Sequence, residues 1–103
     1  MYTPKFQNEQ TELLMNALLE LQTPQEAYRF CEDVLTVQEL KSITQRLEVA
    51  VMLRQKVTYQ EIAHKTGAST ATISRVNRSL QYGADGYHLV LDRLSEKAET
   101  QQK

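Results

Sequence analysis

The sequence is poor in the residues that break helices or crosslink chains. Its 103 residues include three glycines, two prolines, one cysteine and no tryptophan. The lone cysteine, Cys31, excludes an internal disulfide, and we expect it to be a small buried core residue in a reducing compartment. The longest apolar run, residues 49–53, is far too short to cross a bilayer, and no signal peptide is recognisable. These features favour a cytoplasmic domain without a membrane partner.

Patterns typical of enzymes and metal sites are also missing. His64 and His88 are isolated, and no Cys/His cluster has metal-ligand spacing. The serines Ser69, Ser74 and Ser79 have no base and carboxylate nearby in the sequence that could activate a nucleophile. No glycine-rich phosphate loop occurs. We therefore expect no enzymatic activity, no metal and no cofactor.

Helix start signals recur along the chain, whereas the alternation typical of strands is absent. Thr23, Thr36 and Thr58 are each followed three residues later by glutamate, the pattern of a reciprocal capping box. Pro24 stands at a first helical position, where its missing N–H costs nothing, and Asp85 could cap a last helix. The sequence therefore predicts an all-α protein with helices near residues 6–21, 24–34, 37–55, 59–66, 70–81 and 86–97.

The third predicted helix is apolar around most of its circumference. One face holds Leu40, Ile43, Leu47, Ala50 and Val51, and the other holds Val49, Met52 and Leu53. The apolar side chains of such a helix must be buried on every side, and one short chain has few residues with which to bury them. We expect a single domain over residues 1–95, a polar, fraying tail over 96–103, and a homodimer with this helix near its centre. A monomer whose other helices wrap the third is the alternative.

Residues 58–80, TYQEIAHKTGASTATISRVNRSL, have the pattern of two short helices joined at Gly67. Glycine can adopt the left-handed backbone that such a tight turn requires. The apolar set that two crossed helices need consists of Ile62 and Ala63, then Ile73, Val76 and Leu80. This pattern indicates a helix-turn-helix motif, which typically places its second helix in a DNA major groove.

Charge is distributed unevenly along the chain. Residues 1–39 hold two basic and seven acidic side chains, whereas residues 40–84 hold seven basic and two acidic ones. No acidic residue occurs between Ile62 and Ala84. A local positive field over the motif would attract double-stranded DNA despite the net charge of −1. An ordinary solvated surface is the alternative interpretation.

With its apolar residues facing the core, the second motif helix presents small hydroxyls and arginines outward. We predict that the hydroxyls and Ala71 contact base edges and that Arg78 meets a guanine or a phosphate. Lys65 and Gln60 would contact the DNA backbone. The predicted DNA-binding residues are Gln60, Lys65, Ser69, Thr70, Ala71, Thr72, Ser74, Arg75 and Arg78. Alternatively, the hydroxyls only cap helices and the arginines are solvated.

Over residues 10–94 the chain resembles the Trp-repressor-like family, and most closely its YerC/YecD subgroup. The resemblance is most specific at LTVQEL (35–40), QRL (45–47), GA (67–68), ATISR (71–75) and SL (79–80). It implies a six-helix, all-α, intertwined homodimer. The two motifs would then enter successive major grooves about one DNA turn, roughly 34 Å, apart.

The resemblance also implies a pocket for a tryptophan corepressor. The two family arginines that flank the indole correspond to Arg46 and Arg75, and Thr36 and Ser79 match further ligand-shell positions. Val76, however, stands where the family repressor has glycine. Filling such a pocket costs on the order of 1–3 kcal/mol or occludes it. We therefore expect tryptophan binding to be weak or lost, while a different small effector is left open.

The sequence thus predicts a sequence-specific DNA-binding transcriptional regulator, most simply a repressor, that uses the helix at 70–81. Two alternatives are a protein-interaction module on a helix-turn-helix scaffold, with the acidic N-terminal third as its surface, and a repressor gated by another small effector. A steep loss of affinity with salt would distinguish DNA binding from the interaction module.

Overall fold

Six helices account for the secondary structure of residues 2–102. The computed structural model describes the backbone of residues 2–102 and the side chains of residues 2–99. The helices are α1 (Glu9–Leu19), α2 (Pro24–Val34), α3 (Val37–Arg54), α4 (Tyr59–Thr66), α5 (Thr70–Tyr82) and α6 (Gly86–Gln102). No strand occurs within residues 2–102, so the all-α prediction is confirmed.

The first and last helices differ most from their predicted bounds. α1 begins later than predicted because Asn8 caps it: the Asn8 side chain accepts from the Thr11 N–H, and the Thr11 hydroxyl accepts from the Asn8 N–H, both at 2.9 Å. α6 continues to Gln102, beyond the predicted end at residue 97. Asp85 precedes α6 with a φ of 65°, and its carbonyl oxygen accepts from the Leu89 N–H at 2.9 Å. None of the helices in the described residues is long and apolar enough to span a bilayer.

The capping box at the start of α3 forms as predicted. The Thr36 hydroxyl accepts from the Glu39 N–H at 3.1 Å, and the Glu39 carboxylate accepts from the Thr36 N–H at 2.9 Å. Two backbone donors that the helix itself cannot satisfy are thereby paired.

The other two predicted boxes are only half formed, so the expectation of reciprocal pairing is wrong there. The Thr23 hydroxyl caps the Glu26 N–H, but the Glu26 carboxylate accepts from the N–H of Gln22 at 3.0 Å. The Thr58 hydroxyl caps the Glu61 N–H at 3.3 Å, while the Glu61 carboxylate lies beside Lys65. Long side chains have several acceptable rotamers at a helix start, and the sequence pattern does not select among them.

The chain divides into two compact units, residues up to Leu40 and residues from Lys41 onward. No residue of α1 or α2 is buried in the first unit. Cys31, predicted to be buried, is only half-buried. The exposed large apolar side chains of α1 and α2 are Leu13, Leu14, Met15, Leu18, Leu19, Tyr28 and Val34.

The second unit contains the hydrophobic core. Its buried residues come from α3 to α6 and are Val49, Ala50, Ile62, Ala68, Ile73, Val76 and Leu91. Ala50 was assigned to the same face of α3 as Leu47 and Val51, but it is fully buried while those two remain 37% and 36% exposed. One side of α3 is therefore covered within the chain, and the other side leaves large apolar side chains exposed.

Polar contacts attach α6 to the ends of α3 and α5. The Arg54 guanidinium forms an ion pair with Asp92 and donates to the His88 carbonyl oxygen at 3.5 Å. The His88 ring nitrogen Nε2 donates to the Leu80 carbonyl oxygen at 2.9 Å. His88, isolated in the sequence, thus serves as a partner for one of the last carbonyls of α5.

The Thr36–Glu39 capping box predicts a specific pH dependence of stability. The hydrogen bond from the Thr36 backbone N–H, followed by that with its side chain, lowers the pKa of the Glu39 carboxyl below its ordinary value of 4.5. Because the folded-state pKa is the lower one, this contribution is fully present above about pH 4.5 and is lost as pH falls through the folded-state pKa. Glu39→Gln should therefore lose less thermal stability than the wild type on acidification, measured by circular dichroism.

The matched control is Glu48→Gln, an exposed carboxyl on the same helix. It should follow the wild-type pH profile in the acid range. Equal acid sensitivity of Glu39→Gln and the wild type would contradict the role assigned to this carboxylate.

Candidate nucleic-acid interface

The turn between α4 and α5 is built on the left-handed backbone of Gly67. Its φ and ψ are 75° and 3°, and its N–H donates to the Ala63 carbonyl oxygen at 2.9 Å. A Cβ atom at Gly67 would have only Gln45 Nε2 nearby, at 4.0 Å. The backbone conformation, rather than a shortage of space, therefore favours glycine here.

Two side chains satisfy the polar groups of this turn. The Gln45 amide on α3 donates to the Thr66 carbonyl oxygen at 3.2 Å. The Thr66 hydroxyl donates to the Ile62 carbonyl oxygen at 2.7 Å and accepts from the Ala68 N–H at 3.1 Å. The sequence interpretation includes neither role, and for Gln45 no local pattern could indicate it, because Gln45 lies 21 residues before Thr66.

The underside of the motif is apolar, as predicted. Ile62, Ile73 and Val76 are at most 2% exposed, and Ala63 and Leu80 pack against them as half-buried residues. Ala68, which was not assigned to the core, is also buried at 4% exposure. The predicted core position of Val76 is confirmed.

The outer side of α5 presents hydroxyls and cations to solvent. Thr70, Ala71, Ser74, Arg75 and Arg78 are all exposed. Among the described residues, neither arginine has a hydrogen-bond or ion-pair partner. Helical spacing places residues 70 and 74 in one row and residues 71, 75, 78 and 82 in the adjacent row. The second row ends at Tyr82, which is 81% exposed and was not predicted to be part of the site.

The hydroxyls of Ser69 and Thr72 are used within the helix start. Ser69 Oγ accepts from the Thr72 N–H and donates to Thr72 Oγ1, both at 3.1 Å. Ser69 is exposed and Thr72 is half-buried. These two residues cap α5, so Thr70 and Ser74 are the hydroxyls of the predicted set that project from it without such a role.

The first motif helix contributes one cation in an ion pair. Lys65 Nζ lies 3.4 Å from the Glu61 carboxylate one turn earlier, and their side chains are 57% and 53% exposed. Gln60 and His64 are exposed on the same helix. Glu61 is the only acidic residue between positions 58 and 84, where the cationic side chains are Lys65, Arg75 and Arg78.

Two of the four residues matched to a corepressor pocket, Arg46 and Thr36, have hydrogen-bond partners nearby in the chain. Arg46 is exposed, and its Nε donates to the Ser42 carbonyl oxygen of its own helix at 3.3 Å. Arg75 and Ser79 are exposed on α5, and the Thr36 hydroxyl accepts from Glu39. Among the described residues, no group of three or more His, Cys, Asp or Glu side chains could hold a metal ion.

Comparison with known proteins identifies the family. Residues 9–95 match the family model described as Trp repressor protein. This chain belongs to the Trp repressor family. It is 49% identical over 96 residues to YerC of Bacillus subtilis (strain 168), a protein described as uncharacterized, and the match covers 93% of this chain and 92% of YerC. The resemblance stated from the sequence is therefore confirmed.

Solved structures share the fold. A TrpR-like protein from Eubacterium eligens ATCC 27750 is similar with a TM-score of 0.84 and 57% identity, over 88% of this chain and 94% of that one. A candidate Trp repressor from Staphylococcus aureus also has a TM-score of 0.84, with 47% identity over 88% and 91% of the two chains. The Trp-repressor-like architecture is thus shown.

The contact between Gln45 and the turn predicts a measurable loss of stability. Gln45→Ala would remove the side-chain donor to the half-buried Thr66 carbonyl, at a cost of about 1 kcal/mol. For a domain of this size, that cost corresponds to a decrease in Tm of about 4–8 °C. Gln38→Ala, at an exposed glutamine of the same helix, is the matched control. If the two variants melt together, the Gln45 contact contributes nothing.

Proposed function

We propose that this chain is a sequence-specific DNA-binding transcriptional regulator, acting as a repressor, that places α5 in the major groove. The observation that supports this most strongly is the division of α5 into two sides. Ile73 and Val76 are buried, while the opposite side offers exposed hydroxyls and the unpartnered guanidinium groups of Arg75 and Arg78. A rigidly packed helix with such an outer side has the chemistry to contact base edges and phosphates.

Affinity and specificity would come from different residues. Neutralisation of phosphates by cations such as Lys65 supplies a sequence-independent term that falls with salt. Gln60 and the start of α4 would contact the DNA backbone, with Ser69 and Arg75 at the edge of the interface. Discrimination among sequences would come from Thr70, Ala71, Thr72, Ser74 and Arg78, of which the half-buried Thr72 has the least freedom to reach a base.

The family supports repression as the mode of action. The Staphylococcus aureus neighbour is described as a candidate Trp repressor and the Eubacterium eligens neighbour as TrpR-like. A repressor acts by occupying its operator, which requires only that binding be tight and selective. We also propose a cytoplasmic location, which agrees with a DNA partner.

We propose that the acting form is a homodimer. The first unit buries no residue of α1 or α2, and about 40 residues without a disulfide or metal rarely fold without another chain. On α3, Ile43, Leu47 and Val51 are also exposed. A second copy would cover such surfaces and supply two motifs for half-sites about one DNA turn apart.

We further propose that tryptophan is not the corepressor. Val76 is 2% exposed and belongs to the same core as Ile62 and Ile73, so its side chain fills space that bare backbone leaves open to the ligand in the family repressor. Thr36, Arg46, Arg75 and Ser79 would then serve other roles or bind a different small effector.

Substitution of Arg78 tests the DNA-contacting surface. The operator is first obtained by selecting bound fragments from genomic DNA. Arg78→Ala should then weaken operator binding by about 1–3 kcal/mol if its guanidinium contacts a guanine, measured by fluorescence anisotropy. Arg29→Ala, at an exposed arginine of α2, should leave the affinity close to wild type.

The same titrations, repeated at several salt concentrations, test the proposal as a whole. The logarithm of the wild-type binding constant should fall linearly and steeply with the logarithm of salt concentration. Binding that is absent in dilute buffer, or insensitive to salt, would contradict DNA binding and favour a protein-interaction module on the same scaffold.

Tryptophan binding can be followed directly because the chain has no tryptophan of its own. Titration of protein into free tryptophan should give no saturable change in its fluorescence, since Val76 fills the space required. A saturable change that disappears in Arg46→Ala would show that the corepressor pocket is intact and that our interpretation of Val76 is wrong.

A further inference from the structure

Glu61 behaves unlike the other two glutamates in the same helix-start pattern. The carboxylates of Glu26 and Glu39 turn back to accept from a backbone N–H at the start of their helices, at 3.0 and 2.9 Å. Glu61 also stands three residues after a capping threonine, but its carboxylate turns forward to Lys65, 3.4 Å away. Its role at the start of α4 is thus limited to its backbone.

This ion pair is too exposed to be explained by stability. Both side chains are more than half exposed, and exposed pairs one helical turn apart contribute very little to folding. Its position is more informative. Glu61 is the only acidic residue between positions 58 and 84, and it lies beside the one lysine of the helix-turn-helix motif.

We propose that Glu61 limits the sequence-independent affinity of the motif for DNA by holding the Lys65 ammonium in an ion pair that must open when Lys65 contacts a phosphate. The inference depends on the DNA binding proposed above. According to this inference, Glu61 contacts no base and yet determines how much of the binding free energy is non-specific.

The consequence follows from competition between two anions for one cation. A phosphate that approaches Lys65 must displace the Glu61 carboxylate and tolerate a like charge nearby. Fewer counterions are then released for each duplex bound, and affinity depends less on salt. The contacts made by α5 with bases therefore account for a larger share of the total binding free energy.

The test is the substitution Glu61→Gln, measured on a random-sequence duplex so that no operator is needed. Glutamine keeps the shape of the side chain and suits the same helix position, so circular dichroism should show an unchanged fold. Affinity in dilute buffer should rise about threefold for each motif that touches the duplex, and the salt slope should steepen by up to about one. The affinity for an operator should rise by the same factor.

Glu48→Gln is the control for net charge. It removes one carboxylate from an exposed site on α3 that has no ion-pair partner among the described residues. Its effect should be clearly smaller than that of Glu61→Gln. If the two variants bind alike, the effect is one of net charge and the proposal is wrong.

The variant Lys65→Gln tests whether the carboxylate acts through the lysine. Alone, it should weaken binding to all duplexes alike and flatten the salt slope by less than one, because Glu61 already withholds part of the lysine's contribution in the wild type. In the double variant, the gain from Glu61→Gln should shrink to that of the Glu48→Gln control. An undiminished gain would mean that Glu61 repels phosphate directly, which overturns the pairing mechanism.

Failure of this inference can be distinguished from failure of the proposed function. If neither the wild type nor any variant binds the random duplex in dilute buffer, the proposed DNA-binding function is wrong, and this inference is wrong with it. If the wild type binds with a steep salt slope and Glu61→Gln matches Glu48→Gln, only the role of Glu61 is rejected.

Discussion

The placement of α5 depends on a short turn closed over an apolar core. α4 has only eight residues, too few to be stable as a helix by itself, so its orientation must come from packing. Ile62 and Ile73, both fully buried, pack the two helices into one core, and the left-handed Gly67 makes the tight connection between them feasible. The exposure of Arg75 and Arg78 is a consequence of this packing, because residues on the side of a helix opposite the buried residues face solvent.

One side chain connects the packing of α5 to its proposed regulation. Val76 helps to fix α5 on the core, and we propose that its methyl groups also fill the position at which the family repressor has glycine. On that proposal, the packing gained at this position takes up the space for a ligand beneath α5. The fraction of operator DNA that is bound would then depend on the protein concentration and the salt-dependent affinity, and not on the concentration of tryptophan.

Much of the fold was predictable because helix starts are encoded locally. Thr36 and Thr58 mark the starts of α3 and α4 through short-range capping, and the apolar spacing around Ile73 identifies the buried side of α5. Contacts between distant residues were not predictable: the Gln45–Thr66 hydrogen bond depends on how α3 meets the turn. The partner of Glu61 was missed for another reason, since a choice between rotamers decides it. At the candidate site, the exposed residues could be identified, but not which hydroxyls are used in capping.

The two units differ in what they require from other molecules. The second unit has a core of its own, and its motif residues are held in place without another chain. The first unit has no buried residue in α1 or α2, and we propose above that a second copy supplies the burial that orders it. If a second copy provides that burial, dimerisation and the spacing of half-sites depend on residues that contact no DNA. Substitutions in α1 would then reduce operator affinity by uncoupling the two motifs, while each motif keeps its affinity for random duplex.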